Sequence, residues 1–332
     1  MRRFNTDIFQ MKLGFIRITC IVSILTLASC KSTEGTLDMI VVPIKYNTQI
    51  QDLEHGRLER IDSFPSNYVT PRGVDVWLPD NYVNTKKYSV LYMQDGQRMF
   101  TGEADKRGRE MMIDETASRL IQENKIEDLI VVGIHSIGKL RQRNYFPQKP
   151  YDSLPVELTD SLQRIGRAMR MNVTINSDAY LKFIVEEVKP YIDGQYSTKA
   201  DLSNTFIGGA SMGGLISMYA VCEYPQIFGG AICMSTHWPG FFPSKDNPIP
   251  TVFFDYMRLN LPEPSVHKFY FDFGTDGMDR FYGQYETNVN SVFEERGYSS
   301  DDFVNNKIEG GNHSEEFWSK RFHMPLLFLL EK

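Results

Sequence analysis

Two kinds of hydrophobic pattern follow one another along the chain after residue 50. Apolar and polar positions alternate over 56–61 and 73–79, which predicts antiparallel strands with one exposed face. Later apolar runs are continuous, which predicts strands buried on both faces of a sheet. These predicted buried strands are 88–93, 129–134, 205–207, 230–234 and 268–273, and a shorter strand is predicted at 307–309.

Helical periodicity fills most of the intervals between these runs. The predicted helices are about 109–124, 178–192, 215–223, about 281–295, and a last helix that runs into Leu330. Strands that alternate with helices predict a mostly parallel, doubly wound sheet, and the first two strands predict an antiparallel edge. The fold class predicted is therefore α/β, a mostly parallel sheet with antiparallel N-terminal strands.

One long segment breaks this alternation. Residues 138–176 are polar, have no single period, and contain Pro147, Pro150 and Pro155. A segment of this length without clear elements is usually functional, so we predict a loop/helix insertion that serves as a functional loop or lid near the functional site. A second loop, rich in proline and aromatic residues, is predicted after strand 230–234.

The first thirty residues are unlike the rest of the chain. Basic residues precede an apolar stretch at 18–27, which suits an export signal and is too short for a membrane-spanning helix. Residues 27–30, Leu-Ala-Ser-Cys, resemble a bacterial lipobox, in which the signal is cut before Cys30 and the sulfur is lipidated. We therefore predict an exported, membrane-anchored lipoprotein that faces the periplasm or the cell surface; the alternative is a plain secretory signal.

The domain organisation predicted from these patterns has three parts. Residues 1–30 are the lipoprotein signal peptide, residues 31–50 are a polar tether, and residues 51–332 are a single catalytic domain. A chain of 332 residues that is 42% hydrophobic is long enough to bury one large core. The only membrane contact predicted is the N-terminal lipid anchor.

Charge and cysteine content exclude several function classes. The net charge is −6, from 36 basic and 42 acidic residues, and no long run of Lys or Arg occurs, which argues against a nucleic-acid partner. Cys222 and Cys233 lie in apolar runs, where they are predicted either to pair or to stay free as buried thiols. No metal-ligand spacing is present, so no metal is predicted.

Residues 208–214 read GGASMGG and surround one serine with the smallest side chains. The pattern Gly209-x-Ser211-x-Gly213 follows a strand and precedes a helix, which predicts a tight strand-to-helix turn that raises Ser211 into a cleft. Side chains two positions either side of the serine would clash with the neighbouring strand and helix, so small residues are needed there. Ser211 is thus the candidate nucleophile.

A serine nucleophile needs a base and an acid that orients the base. Strand 268–273 is followed by a turn that carries Asp276 and Asp279, and the last strand is followed by a glycine-rich loop that carries His313. Carboxyl ends of parallel strands gather at one edge of an open sheet, so these side chains are expected to meet. The chain order Ser, Asp, His is that of the α/β-hydrolases; the residues alone leave both aspartates open as the acid.

Several stretches together resemble one known family. They are residues 91–96 (LYMQDG), the Gly209-x-Ser211-x-Gly213 turn, residues 224–229 (YPQIFG), the Gly274-Thr275 turn, and Gly311-x-His313 followed by Trp318. With these motifs, the chain from about residue 74 onward resembles the putative-esterase family of α/β-hydrolases. That family includes esterase D, feruloyl and acetyl-xylan esterases, siderophore esterases and mycolyltransferases.

The resemblance implies further site residues. Family members commonly place the acid three residues after the turn glycine, where this chain has Gly277. A two-residue insertion would make Asp279 the acid, which we prefer over Asp276. The family's oxyanion hole implies the backbone N–H groups of Met212 and Gln97 as donors. No cofactor is implied.

Four further side chains are candidates for substrate contact. His237 and Trp238 follow strand 230–234, which is expected to end at the active edge of the sheet. Arg143 and Tyr145, with the nearby Arg141, lie in the predicted lid and suit an acidic or sugar-linked substrate. For Trp238 the alternative is a role in core packing, and for the lid residues the alternative is a solvated loop.

The function predicted is that of a serine esterase. It would hydrolyse a carboxylic ester, such as an acylated polysaccharide, a feruloyl or acetyl ester, or a siderophore ester, through an acyl-enzyme. One alternative is an acyltransferase that uses the same three residues. Another is a non-catalytic surface protein that binds its ligand on a hydrolase scaffold.

Overall fold

The computed structural model describes residues 48–100, 109–168, 174–241 and 247–332. The predicted signal peptide, Cys30 and nearly all of the predicted tether lie outside the described residues, so the predictions made for them stay predictions. Among the described residues, no helix has the length and apolar content required to cross a bilayer. The first strand, Gln49–Asp52, overlaps the predicted start of the catalytic domain at residue 51.

Nine strands form one sheet in the part of the chain that the structure describes. Their bounds are β1 Gln49–Asp52, β2 Arg57–Phe64, β3 Arg72–Leu78, β4 Ser89–Gln94, β5 Leu129–Ile134, β6 Thr205–Ala210, β7 Gly230–Met234, β8 Lys268–Gly274 and β9 Phe303–Ile308. The strand order across the sheet is β1-β2-β3-β5-β4-β6-β7-β8-β9. The pairs β1–β2, β2–β3 and β3–β5 are antiparallel, and all the remaining pairs are parallel. The predicted mixed sheet with antiparallel N-terminal strands is therefore confirmed.

Helices occupy the connections between the strands. Their bounds are α1 Ile113–Gln122, α2 Arg141–Tyr145, α3 Gln148–Asp152, α4 Val156–Ala168, α5 Ser177–Lys182, α6 Lys189–Gln195, α7 Met212–Glu223, α8 Ile249–Asn260, α9 Glu286–Glu295, α10 Glu315–Arg321 and α11 His323–Leu330. A π-helical stretch, Phe183–Val188, joins α5 to α6, and short 3₁₀ turns include Gly96–Arg98 and Asp279–Phe281.

The sheet is covered on both faces, as the unbroken apolar runs require. Alternate residues of one strand belong to different apolar clusters: Val90 and Tyr92 to one, Leu91 and Met93 to the other. Side chains alternate between the two faces of a strand, so each cluster is the core on one face. All six residues of β4 and all six of β5 are buried.

In its described part, the inserted segment 138–176 contains α2, α3 and α4, whose individual bounds were not predicted. The loop predicted after β7 is wrong over Ile249–Asn260, which form α8. Pro147 and Pro155 stand directly before α3 and α4, and Pro250 lies in the first turn of α8. Proline is tolerated in the first helical turn because the N–H that it lacks has no partner there in any case.

Smaller differences concern element ends. The strand predicted at 307–309 runs from Phe303 to Ile308. Its start was missed because this edge strand is only half-buried and the polar Asn305 and Asn306 interrupt the apolar pattern. The helix predicted from residue 215 begins at Met212. Cys222 and Cys233 are buried and free.

Candidate active site

Ser211 lies at the turn between β6 and α7 in a strained backbone conformation. Its φ and ψ are 61° and −124°, a region that residues with a side chain rarely adopt. A Cβ at Gly209 would stand 2.8 Å from the carbonyl carbon of Gly213 and 2.9 Å from Cβ of Gln94 on β4. The glycines therefore allow the helix to begin directly against the strands, which lifts Ser211 to the edge of the sheet.

His313 and Asp279 meet Ser211 at this edge. His313 Nε2 lies 2.9 Å from Ser211 Oγ, and His313 Nδ1 lies 2.5 Å from Asp279 Oδ1. An ionised carboxylate only accepts hydrogen bonds, so Nδ1–H is the donor to Asp279, and Nε2 is left with the lone pair that accepts the Ser211 O–H. This is the tautomer that a general base for serine requires.

The Asp279 carboxylate is fully buried and has several donors. Oδ2 accepts the Ser235 hydroxyl at 2.5 Å and the Gly274 N–H at 2.9 Å. Burial acts to raise the pKa of Asp279, but hydrogen bonds from His313, Ser235 and Gly274 outweigh it and hold the pKa below its ordinary value. Asp279 is therefore ionised at neutral pH.

Ser235 has contacts that direct its proton. Its Oγ accepts one hydrogen bond from Trp318 Nε1 and one from Arg321 Nη2, each at 2.9 Å. A hydroxyl has two acceptor lone pairs and one proton, so the proton is left for Asp279. Arg321 is itself held by Asp272, whose carboxylate oxygens lie 2.9 and 3.0 Å from its guanidinium nitrogens.

The other candidate acid stands apart from this cluster. Asp276 is exposed, and its backbone N–H bonds to the carbonyl of Gly311. The carboxylate in contact with His313 is that of Asp279, at the start of the 3₁₀ turn Asp279–Phe281.

A cavity of about 470 Å³ opens beside Ser211 and His313. Its apolar lining residues include Met99, Met111 and Trp318, and its charged lining residues are three arginines and two carboxylates. The charged residues that line it are Asp95, Arg98, Arg109, Arg141 and Glu315. Arg98 is hydrogen-bonded to Glu315, and Arg109 Nη1 lies 3.9 Å from the same carboxylate.

The two backbone donors predicted for the oxyanion hole lie on adjacent elements. Met212 is the first residue of α7, where helix N–H groups have no partner within the helix. Gln97 lies in the turn after β4 and lines the cavity. Its side chain makes two 2.9 Å hydrogen bonds with Ser136, from Nε2 to the hydroxyl and from the Ser136 N–H to Oε1. This pair of hydrogen bonds holds the turn in place next to Ser211.

Arg141 and Tyr145 support the same turn through Asp95. Arg141 Nε and Nη2 each lie 2.8 Å from a carboxylate oxygen of Asp95, and the Asp95 N–H donates to the Tyr145 hydroxyl at 3.1 Å. Burial acts to raise the pKa of Asp95, but the Arg141 charge outweighs it and lowers that pKa. Tyr145 is fully buried and does not line the cavity, so the structure gives it a supporting position.

His237 and Trp238 are buried behind the site and do not line the cavity. His237 Nδ1 lies 2.6 Å from the Tyr282 hydroxyl and Nε2 lies 3.3 Å from the Phe241 carbonyl, so Nε2 is the donor. Burial lowers the pKa of His237 to about 4, which keeps the ring neutral. The Trp238 ring packs in the core, 5.8 Å from the Phe271 ring. The position of Trp238 therefore agrees with the alternative prediction, a role in core packing.

Arg143 also lies away from this cavity. It lines a second cleft, together with Arg72 and Asn144. Of the four side chains considered for substrate contact, none lines the cavity beside Ser211, whereas Arg141 does.

Ser235 and Arg321 also belong to the site and were not among the predicted site residues, whereas Trp318 was noted only as part of the family motif. Ser235 follows β7, and Arg321 and Trp318 lie on α10, more than eighty positions later. The end of β7 is a neighbour of β6 and β8 in the sheet, so a polar residue directly after it was the one available signal.

The chain matches the model of the putative esterase family over residues 67–327. That match covers well over half of its 332 residues, and the chain belongs to this family. Membership supports a hydrolase that acts on esters, and the fold is that of α/β-hydrolase-like esterases.

Three relatives illustrate the similarity. The uncharacterized protein YbbA of Bacillus subtilis is 22% identical over 270 residues, which cover 79% of this chain and 93% of that one. The CE1 ferulic acid esterase AmCE1/Fae1A of Anaeromyces mucronatus has a TM-score of 0.56 and 19% identity, with 86% and 94% of the chains covered. Ferric enterobactin esterase of Salmonella typhimurium has a TM-score of 0.60 and 13% identity, with 82% and 57% covered.

Proposed function

We propose that the protein is a serine esterase that cleaves a carboxylic ester through an acyl-enzyme. The observation that carries this proposal is the pair of contacts at His313: 2.9 Å from Nε2 to Ser211 Oγ and 2.5 Å from Nδ1 to Asp279 Oδ1. Nucleophile, base and orienting acid are thus within hydrogen-bond reach beside an open cavity.

In the acylation step, His313 Nε2 takes the proton of Ser211 as Oγ attacks the ester carbonyl. The carbonyl oxygen becomes an oxyanion, which the backbone N–H groups of Met212 and Gln97 would stabilise. Loss of one such donor typically costs about 3 kcal/mol of transition-state stabilisation. The imidazolium returns its proton to the leaving alcohol as the C–O bond breaks, and Asp279 stabilises the positive ring throughout.

Deacylation repeats these steps with water as the nucleophile. His313 takes a proton from the water, the hydroxide attacks the acyl carbon, and the carboxylic acid leaves as Ser211 regains its proton. If an alcohol replaced water at this step, the same residues would perform acyl transfer. Product analysis with and without an added alcohol separates the two reactions.

The cavity supports a substrate with two unlike parts. Met99, Met111 and Trp318 offer apolar contacts to an aromatic or acyl group. The three arginines that line the same cavity suit a polar or anionic part of the substrate. Ferulic acid esterase and enterobactin esterase are the activities named for the similar structures. We therefore propose feruloyl, acetylated-polysaccharide and siderophore esters as the substrates to be compared first.

The experiment that tests this function compares two alanine variants on a p-nitrophenyl short-chain ester. Ser211→Ala should lower kcat by roughly 10⁴-fold or more, because the nucleophile is lost. Ser203→Ala is the matched control, since Ser203 is exposed and lies before β6, away from the cavity. Wild-type turnover by Ser211→Ala would end the proposal.

We also propose that the protein is exported and anchored through a lipid on Cys30, as the residues 27–30 indicate. Cells fed an alkyne-bearing fatty acid should label the wild-type protein and leave Cys30→Ser unlabelled. Equal labelling of the two proteins would show that Cys30 is not the attachment site.

A further inference from the structure

We propose that the second cleft, lined by Arg72 and Arg143, is a binding site for a small oxyanion, a carboxylate or a phosphate. The cleft has a volume of about 300 Å³ and lies between the segment before β3 and helix α2. Helix α2 carries Arg141, which lines the cavity beside Ser211, and Arg143 and Asn144, which line this cleft. The two recesses share no lining residue.

Arg72 is the strongest sign of a missing anion. It is only 3% exposed, at the first position of β3. Its Nε donates to the Thr70 carbonyl at 3.3 Å and its Nη2 donates to Asn144 Oδ1 at 3.2 Å, and both acceptors are neutral. Its Nη1 is buried without a partner. Within the described ranges, no carboxylate forms an ion pair with Arg72.

Aromatic rings only partly compensate this cation. The Arg72 Cζ atom lies 5.0 Å from the centre of the Tyr180 ring and 5.4 Å from that of Phe183. The free energy gained from a cation–π contact is smaller than the free energy lost when a charge is removed from water. Buried arginines are accordingly found with an anion, and here the protein residues that the structure describes do not supply one.

Arg143 adds a second guanidinium to the same cleft. It is half-buried, its Nε is buried without a partner, and its side chain makes no hydrogen bond or ion pair with any described residue. The side-chain amides of Asn67, Asn144 and Asn176 also line the cleft. The described residues that line the cleft include no carboxylate; two carboxylates outside that lining, Glu186 and Glu187, accept hydrogen bonds from Tyr68 and Asn67.

These groups define the chemistry of the ligand. A guanidinium presents a planar set of N–H donors that matches the oxygens of carboxylates and phosphates, and side-chain amides add further donors. A volume of about 300 Å³ is at the small end of ligand pockets, which fits a single sugar acid or a free phosphate better than a polymer. The proposal concerns binding alone and does not depend on ester hydrolysis.

The test uses isothermal titration calorimetry on the full chain with inorganic phosphate and D-glucuronate as probes. We expect saturable binding of at least one probe, weakened at least tenfold by Arg143→Gln. Arg119→Gln is the matched control, because it removes the same charge from the exposed face of α1. Tighter binding of glucuronate identifies a carboxylate ligand, and tighter binding of phosphate identifies a phosphate.

Two results would overturn the site: no saturable binding of either probe by the folded wild-type protein, or equal affinity in Arg143→Gln. If Arg143→Gln fails to fold, Arg143→Lys is the second variant. It keeps the charge but removes the planar set of N–H donors, so it should also bind more weakly than the wild type. Ser211→Ala should bind as the wild type does. A loss of turnover without a loss of binding therefore separates this proposal from the proposed esterase.

Discussion

At the scale of single residues, Ser235 has the contacts of a positioning residue for Asp279. Both of its lone pairs accept from Trp318 and Arg321, so its proton points to Asp279 Oδ2. Its φ of 43° is in the left-handed region, which strains a serine. This strained serine lies directly beside the Asp279 carboxylate, which contacts His313.

We predict that Ser235→Gly and Ser235→Ala each lower kcat by about tenfold to 100-fold, because Asp279 and with it His313 lose their fixed orientation. Glycine relieves the backbone strain that alanine retains, so the two variants should differ in unfolding free energy but agree in kcat. Wild-type kcat in both variants would remove Ser235 from the catalytic arrangement.

Residue types and strand ends predicted Ser211 and His313, because each stands in a glycine-rich stretch directly after a strand. They could not choose between Asp276 and Asp279, since both lie in one turn and only the three-dimensional path of that turn decides which faces His313. Ser235 was out of reach for a similar reason: its donors come from α10, and spacing along the chain does not reveal them.

At the scale of elements, the turn between β6 and α7 depends on two glycines. Gly209→Ala would place its Cβ 2.8 Å from the backbone of Gly213, where real Cβ atoms are essentially never found. We predict a loss of unfolding free energy of about 1–3 kcal/mol, and a loss of activity as Ser211 shifts. Chemical denaturation measures the first effect.

Gly194→Ala is the control for this substitution. A Cβ at Gly194, in α6, would have no atom within 4 Å. Alanine is favoured over glycine in a helix by up to about 1 kcal/mol, so this variant should be as stable as the wild type or more stable. If both alanines had the same effect, the close approach at Gly209 would not limit the turn.

The individual helices of the segment 138–176, between β5 and β6, could not be predicted from the hydrophobic pattern. Helices α2 and α3 have five residues each, too few to show a period, and prolines mark the points where one helix ends and the next begins. The strands buried on both faces were predictable because each one is a continuous apolar run in the sequence. Such a run is recognised without knowing which strands lie beside it.

At the scale of the whole molecule, the sheet brings distant parts of the chain to one edge. Ala210 of β6 pairs with Met234 of β7, and Met234 pairs with Asp272 of β8, so these strands end in register. Ser211, Ser235 and the turn with Asp279 therefore emerge side by side, and β9 adds the loop of His313. For Ser211, His313 and the turn with Asp279, this convergence was predictable, because the carboxyl ends of parallel strands gather at one edge of an open sheet.

Burial of His237 makes the stability of the whole domain sensitive to acid. Its pKa falls from 6.5 to about 4 on folding, so between these values the unfolded chain binds more protons, and stability falls as the pH falls. The contribution is on the order of 3 kcal/mol. Denaturant titrations at pH 7.5 and pH 4.5 should show a smaller loss for His237→Gln than for the wild type. Equal losses in both proteins would show that His237 is not the group responsible.

The central claim is that Ser211, activated by His313, is the residue that becomes acylated. Its most direct test is mass spectrometry of the protein after treatment with a fluorophosphonate, which reacts with activated serines. We expect one adduct, mapped to Ser211, and strongly slowed labelling in His313→Ala. An adduct on another residue, or no adduct in a protein that still hydrolyses esters, would contradict the account.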